Sequence, residues 1–179
     1  MSSFRAARRC AFRIGVGVLA LALSGCGYHL QGAGGSSLPP HIKKSHVPII
    51  VNQTLEQGIE VQVTDAIRRV IIDDGRVSLA TGIADADAVL EGEVLQYRLR
   101  AIAFTRGDRA QEFRLRMTLA VSLRDQENGK ILFRQTIVSD REYEASTNLS
   151  SNEKAQTDAA QKASTAIARE LQGLLIEGF

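Results

Sequence analysis

Residues 111–125 read QEFRLRMTLAVSLRD, and this stretch decides the fold. Apolar and polar side chains alternate through most of it. One parity carries Phe113, Leu115, Met117, Leu119, Val121 and Leu123, and the other carries Arg114, Arg116, Thr118, Ala120, Ser122 and Arg124. Because successive side chains of a strand point to opposite faces, the alternation predicts a β-strand with one buried face and one solvated face.

Strands are predicted on both sides of this stretch. Residues 88–104 are rich in β-branched and aromatic side chains and predict one long strand, whose alternation slips; Gly92 is the expected bulge. Residues 106–109 are the expected hairpin tip between the two strands. Asn128-Gly129 is a strong hairpin signal, after which residues 130–139 return as the last strand.

Two helices are predicted from capping boxes and apolar stripes. The first box is Thr54 to Gln57, and its helix extends to about Asp74, with Gly75 ending it. Its stripe consists of Ile59, Val63, Ile67, Val70 and Ile71. The second box is Ser150 to Glu153 and opens a helix over about 151–176. Its stripe consists of Ala155, Ala159, Ala163, Ile167, Leu171 and Leu174.

Short strands at 47–51, which contains Pro48, and at 76–80 complete the predicted elements. The order is strand, helix, several mostly hairpin-linked strands, then helix. This order predicts an α+β two-layer sandwich, in which two helices pack on one face of a four- to five-stranded, mostly antiparallel or mixed sheet. The opposite face of the sheet is expected to stay uncovered.

The first 25 residues are predicted to be a lipoprotein signal peptide. Four arginines precede an apolar run at 14–23, which is too short to span a bilayer because spanning needs ~20 residues. Residues 23–26, Leu-Ser-Gly-Cys, resemble the bacterial lipobox, so we expect cleavage before Cys26 and acylation of its thiol and new amino terminus. Gly27 follows, which favours the outer membrane. The alternative is a secreted protein with a chance cysteine at the cleavage site.

Residues 26–46 are predicted to form a flexible tether and residues 47–179 a single domain. His29, His41 and His46 lie in or beside the tether, and their scatter gives little support for a metal site. Cys10 leaves with the signal and Cys26 carries lipid, so the predicted domain has no thiol. We expect no metal and no cofactor besides the covalent lipid.

Charge is unevenly distributed along the chain. Four of the 22 basic residues and none of the 20 acidic ones lie in residues 1–25, so the mature chain carries a net charge of −2. Residues 98–134 nevertheless hold nine basic and four acidic side chains. Seven arginines lie on the polar parity of three strands or at the hairpin tip: Arg98, Arg100, Arg106, Arg109, Arg114, Arg116 and Arg134.

This concentration of arginine indicates an anionic partner, since the guanidinium fork suits phosphate and carboxylate groups. The alternative is that the arginines only keep a wet sheet face soluble. A nucleic-acid site is not expected, because no aromatic residues alternate with the arginines.

The sequence has no nucleophile elbow, phosphate loop or zinc-protease motif, so we expect that the protein is not an enzyme. Glu91 and Glu93 share a parity, and we expect them to be solvated or ion-paired with nearby arginines rather than to serve in acid–base catalysis.

Several segments, taken together, resemble the LptE family of LPS-assembly lipoproteins. They are Cys26-Gly27-Tyr28-His29-Leu30, the strand ending near Asn52-Gln53-Thr54 with its following helix, the segment Ala86-Asp87-Ala88-Val89-Leu90-Glu91-Gly92, the hairpin at Gly129-Lys130, and the C-terminal helix. The resemblance spans nearly the whole mature chain.

The resemblance implies a non-enzymatic outer-membrane subunit of the lipopolysaccharide translocon. Such a subunit plugs the LptD β-barrel, assists its assembly and contacts lipopolysaccharide. It is held on the periplasmic side by its lipid. Two other functions remain open: an accessory lipoprotein of an envelope lipid-transport ABC system, and an envelope hydrolase with a nonstandard site.

Overall fold

The computed structural model describes residues 38–177, with side chains as far as residue 175. The predicted signal peptide, Cys26 and most of the predicted tether lie outside this range. The elements, in chain order, are β1 (Lys44–His46), β2 (Val51–Asn52), α1 (Ile59–Asp74), β3 (Ser78–Leu79), a 3-10 turn (Ile83–Asp85), β4 (Ala88–Phe104), β5 (Ala110–Asp125), β6 (Ile131–Glu144) and α2 (Leu149–Glu177).

The strands form one mixed sheet in the order β3-β1-β4-β5-β6, and β2 lies farther along the same edge of β4 as β1. β1 and β2 are parallel to β4, whereas β4, β5 and β6 form an antiparallel meander. Both helices pack on one face of this sheet and against each other. The α+β class is confirmed, with six strands rather than four or five.

The alternating stretch at residues 111–125 also contributes to the core. Leu115, Met117 and Leu119 of β5 are completely buried, as the alternation predicts. The bounds of β4 are those predicted. β6 differs, because it continues five residues beyond the predicted end at Ser139.

The face exchange in β4 occurs at Leu95 and not at Gly92, so the predicted bulge is wrong. Pairing with β5 is continuous from Ala88 to Val94, and the register shifts between Val94 and Gln96. Gly92 has a packing role instead. A Cβ there would lie 2.8 Å from Cδ1 of Ile50 and 3.2 Å from the Ala120 carbonyl oxygen.

The predicted capping box of α1 is also wrong. The helix begins at Ile59 after Gly58, whose φ of 82° is favourable only for glycine. The Thr54 hydroxyl donates to Oδ1 of Asn52 at 2.7 Å and so stabilises the preceding loop. The predicted stripe is confirmed, and Gly75 ends the helix with a φ of 70° while donating its N–H to the Ile71 carbonyl.

At the start of α2, the cap is Asn148 rather than the predicted box at Ser150. Oδ1 of Asn148 accepts the Ser151 backbone N–H at 3.3 Å, and the Ser150 hydroxyl donates to the same oxygen at 2.7 Å. The apolar stripe of α2 is as predicted. Its alanines bring the helix close to β5 and β6.

The predicted strand at 47–51 is wrong for residues 47–50, which lie between β1 and β2, and only Val51 is in a strand. The segment between the two short strands contains Pro48, which has no N–H to donate to a ladder. The last residues assigned to the tether are folded. Ile42 is buried in the core, and β1 lies between β3 and β4. The backbone N–H groups of Lys43 and Lys44 both donate to the Asp87 carboxylate at 2.8 Å, and these bonds lower the pKa of Asp87.

Candidate functional site

The sheet face opposite the helices collects the predicted arginines in cross-strand rows. Arg98 of β4 pairs in register with Arg116 of β5, and Arg100 pairs with Arg114. Directly opposite residues on one face have Cβ atoms ~5 Å apart, so the four guanidinium groups share one region. We call Arg98, Arg100, Arg114 and Arg116 the arginine quartet.

Two members of the quartet are neutralised by β6. Arg114 donates from Nε and Nη2 to Oε1 of Glu142, at 2.9 and 2.6 Å. Arg116 donates to both oxygens of Asp140, at 2.7 and 2.6 Å. The hydrogen bond from Arg116 lowers the pKa of the Asp140 carboxyl, and partial burial opposes this only in part.

Arg98 and Arg100 are exposed, and their side chains have no ion pair or hydrogen bond within residues 38–175. The quartet therefore keeps an excess of two positive charges. These side chains border an open cleft of ≈ 310 Å³, whose other lining residues are Gln96, Ala101 and Ile102. The cleft presents guanidinium forks beside a small apolar surface, which suits an anionic group on an amphipathic ligand.

Arg134 lies elsewhere on the same face, in register with Ser122 on β5. It borders a wider cleft of ≈ 520 Å³ together with the exposed apolar side chains of Ile49 and Val51. Glu91 and Glu93 also border this cleft. Glu91 is 3.3 Å from Arg124, and Glu93 is exposed and has no ion pair among the described residues, which agrees with the expectation of solvated or ion-paired carboxylates. This region is mixed in charge and separate from the quartet.

Arg106 and Arg109 lie at the tip of the β4–β5 hairpin, where they were predicted. Asp108 between them has a φ of 56°, and the Thr105 N–H donates to the Arg109 carbonyl at 2.9 Å. Both arginine side chains are exposed, and neither has an ion pair within the described part of the chain. The seven predicted arginines thus fall into three groups: the quartet, Arg134, and the tip.

The structure describes two histidines, His41 and His46, and His41 contacts two carboxylates. Nε2 of His41 is 3.0 Å from Oδ2 of the buried Asp125 and 3.5 Å from Oε2 of Glu127, and the ligand atoms of these three residues lie within 4.8 Å of one another. Asp125 also accepts hydrogen bonds from the Glu127 N–H and from Asn128. Burial raises the Asp125 pKa, but these bonds and the one to His41 outweigh it, so the pKa is lowered. The contacts fasten the segment before β1 to the β5–β6 turn.

A family model described as lipopolysaccharide assembly, LptE, matches residues 42–177, which is most of the chain. The chain belongs to the LptE family. The match begins at Ile42, the first buried core residue of the described chain. No curated protein matches the sequence significantly.

Solved structures with the same fold are distant in sequence from this LptE-family chain. A putative lipoprotein from Caulobacter crescentus is 19% identical with a TM-score of 0.52, over 72% of this chain and 88% of that one. A minor lipoprotein from Acinetobacter baumannii is 17% identical with a TM-score of 0.50, over 76% and 94%. A Xanthomonas campestris protein is 16% identical with a TM-score of 0.53, over 78% and 89%. At these identities the likeness establishes the fold alone.

Asp140 and Glu142 are the site residues that the sequence analysis of this LptE-family chain missed. They lie beyond Ser139, where the last strand was predicted to end. The sequence does indicate that the strand continues, because the alternating series on the exposed face extends past Ser139 as Arg134, Thr136, Val138, Asp140 and Glu142. Neither helix among the described residues is long and apolar enough to cross a membrane.

Proposed function

We propose that this LptE-family protein is a non-enzymatic subunit of the lipopolysaccharide translocon in the outer membrane. It is anchored on the periplasmic side by lipid on Cys26, plugs the β-barrel of LptD, assists that barrel's assembly and contacts lipopolysaccharide. The family match over residues 42–177 is the observation that carries the proposal.

The open sheet face supports the proposal. Lipid A phosphates and core sugar acids are dense anionic groups, and arginine binds such groups with two parallel hydrogen bonds. Arg98 and Arg100 are exposed and leave their donors available, whereas Arg114 and Arg116 already hold carboxylates. The quartet therefore contacts the anion mainly through β4.

The test replaces Arg98 and Arg100 together with glutamate in the full-length lipoprotein, purified from detergent-solubilised membranes. Hydrogen bonds to charged groups contribute ~1.5–3 kcal/mol each, so losing even one should weaken binding of purified lipopolysaccharide by roughly tenfold or more. The fold should persist, because both side chains lie on the exposed face of β4. Binding is measured by titration and folding by circular dichroism. Arg114 and Arg116 are poorer targets, since glutamate there would also repel Glu142 and Asp140.

The matched control is Arg69→Glu with Arg169→Glu, which makes the same charge change on two exposed helical positions. The control should bind as the wild type does. Equal affinity of the wild type and the Arg98, Arg100 variant for lipopolysaccharide would show that the quartet is not the binding site.

Mass identification of co-purified proteins tests the proposed partner. Recovery of an inner-membrane-linked transporter instead of an outer-membrane barrel would favour the ABC accessory role.

A further inference from the structure

A polar cleft lies on the helix side of the sheet, between β4 and the N-terminal parts of the two helices. Its volume is ≈ 210 Å³, and it is separate from the arginine quartet, which lies on the opposite face of the sheet. No lysine, arginine or histidine is among the described residues that line it. The groups that define its chemistry belong to Glu56, Gln57, Gly58, Gln62, Tyr97 and Gln156.

The cleft offers hydrogen-bond acceptors that have no donor of their own. The side chain of Glu56 is half-buried, and its carboxylate has no ion pair or hydrogen bond among the described residues. The amide nitrogen of Gln62 donates to Oε1 of Gln161 at 2.9 Å. The amide nitrogen of Gln156 donates to the Tyr97 hydroxyl at 3.4 Å. The amide oxygens of Gln62 and Gln156 are therefore available to a ligand.

Donors lie beside these acceptors. Helix α1 begins after Gly58 without a side-chain cap, and the N–H groups of residues 59–61 have no acceptor within the described chain. Gly58 lines the cleft through its backbone, because it has no side chain. The Tyr97 hydroxyl remains a donor, since burial above all raises its pKa and it has no acceptor among the described residues. The exposed amide of Gln57 can either donate or accept.

This mixture of groups indicates the class of ligand. An inorganic anion would be attracted by the positive end of α1 but repelled by Glu56, with no basic side chain to hold it. A metal ion would meet a single carboxylate and the same positive helix end. A hydroxyl group both donates and accepts, so a ligand with several neighbouring hydroxyls satisfies both sets. Tyr97 adds an aromatic ring, whose negative face attracts the C–H groups of a sugar.

We propose that this cleft binds an uncharged sugar ring of a glycan. The ring packs on Tyr97, its hydroxyls donate to the Glu56 carboxylate and the Gln156 amide oxygen, and they accept from the Gly58 N–H. Two glycans of a bacterial envelope carry such rings, namely the oligosaccharide of lipopolysaccharide and the glycan strands of the cell wall. The inference goes beyond the proposed translocon role, which concerns anionic groups on the other face of the sheet, and does not depend on it.

The test titrates two oligosaccharides into isotopically labelled full-length lipoprotein and follows the backbone amide shifts by NMR. The detergent is one whose head group is not a sugar. One probe is dephosphorylated core oligosaccharide released from lipopolysaccharide by mild acid, and the other is chitobiose, the disaccharide of N-acetylglucosamine. At least one probe should give saturable shifts at Gly58 and Tyr97 with a Kd on the order of 1 mM, because a small open cleft holds few ligand atoms.

The probe that binds identifies the source of the sugar. Binding of either one supports the proposal. Absence of saturable shifts with both probes at tens of millimolar would overturn it. Tighter binding of inorganic phosphate than of either probe would overturn it equally, since the cleft would then be an anion site.

Matched variants place the binding in the cleft. Gln57→Ala combined with Gln156→Ala removes two amides and should weaken binding of the probe by roughly tenfold. The control combines Gln111→Ala with Gln126→Ala, which makes the same change at two exposed positions outside the cleft, and it should bind as the wild type does. Circular dichroism compares the folding of both variants. Unchanged affinity of the folded cleft variant would show that the sugar binds elsewhere.

The arginine quartet provides the last comparison. Arg98→Glu combined with Arg100→Glu should leave binding of the probe unchanged, because no arginine lines the cleft. Loss of probe binding in that variant would place the sugar on the open face and contradict the inference. The sugar cleft and the anion site on the quartet can therefore fail separately.

Discussion

Arg116 and Arg98 are direct neighbours on adjacent strands, yet their surroundings differ. Arg116 forms two hydrogen bonds to Asp140, whereas Arg98 has no ion pair within the described residues. The alternation in the sequence places both on the exposed face, but it does not show which guanidinium is neutralised. That depends on the register between β5 and β6, which only the folded sheet determines.

Among the described glycines, Gly92 is the one at which an added Cβ would lie closest to other atoms. Gly92→Val should lower the free energy of unfolding by ~1–3 kcal/mol, the usual cost of overpacking. The branched side chain would collide with Ile50 and with the backbone oxygen of Ala120, which cannot move without disturbing β5. Urea denaturation measures the change.

Gly82→Ala provides the comparison, because a Cβ at Gly82 meets nothing within 4 Å. Its stability should stay within ~0.5 kcal/mol of the wild type. Equal effects of the two substitutions would show that Gly92 is not needed for the close approach of Ile50 to the sheet.

At the element scale, the sequence predicts strands better than helix starts. β5 is correct because period-two alternation continues over many residues, and the helix stripes are correct for the same reason at period 3.6. β4 is correct because β-branched and aromatic residues are frequent along it, although its alternation slips. Both capping boxes fail, since a short motif such as Thr54 to Gln57 is equally compatible with a loop in which the hydroxyl bonds to Asn52. The end of β6 was missed because polar residues follow Ser139.

The start of α2 gives a direct comparison of the two cap assignments. Asn148→Ala should lower the free energy of unfolding by ~1 kcal/mol, because the Ser151 N–H loses its acceptor. Ser150→Ala and Glu153→Ala, the residues of the predicted box, should cost less. Thermal or urea unfolding of the three variants measures these changes in the free energy of unfolding. A larger decrease for Ser150→Ala than for Asn148→Ala would show that the predicted capping box is the cap of α2.

At the scale of the whole molecule, the folded domain includes residues that composition assigned to the tether. Gly, Ser and Pro are frequent over residues 27–46, and no apolar period is present there. The structure nevertheless buries Ile42 and inserts β1 between β3 and β4. Parallel pairing with β4, 42 or more residues away in sequence, leaves no local pattern, so no sequence window could reveal it.

The position of β1 predicts how truncation affects the domain. A chain beginning at Leu38 should unfold cooperatively, whereas a chain beginning at Val47 loses Ile42, β1 and the His41–Asp125 contact together. Removing one buried isoleucine side chain alone costs ~2–5 kcal/mol, a large part of the ~5–15 kcal/mol that stabilises a domain. The shorter chain should therefore be partly unfolded at 25 °C by circular dichroism, and Ile42→Ala in the longer chain should fall between the two. Equal stability of both truncated chains would instead place the start of the domain at Val47.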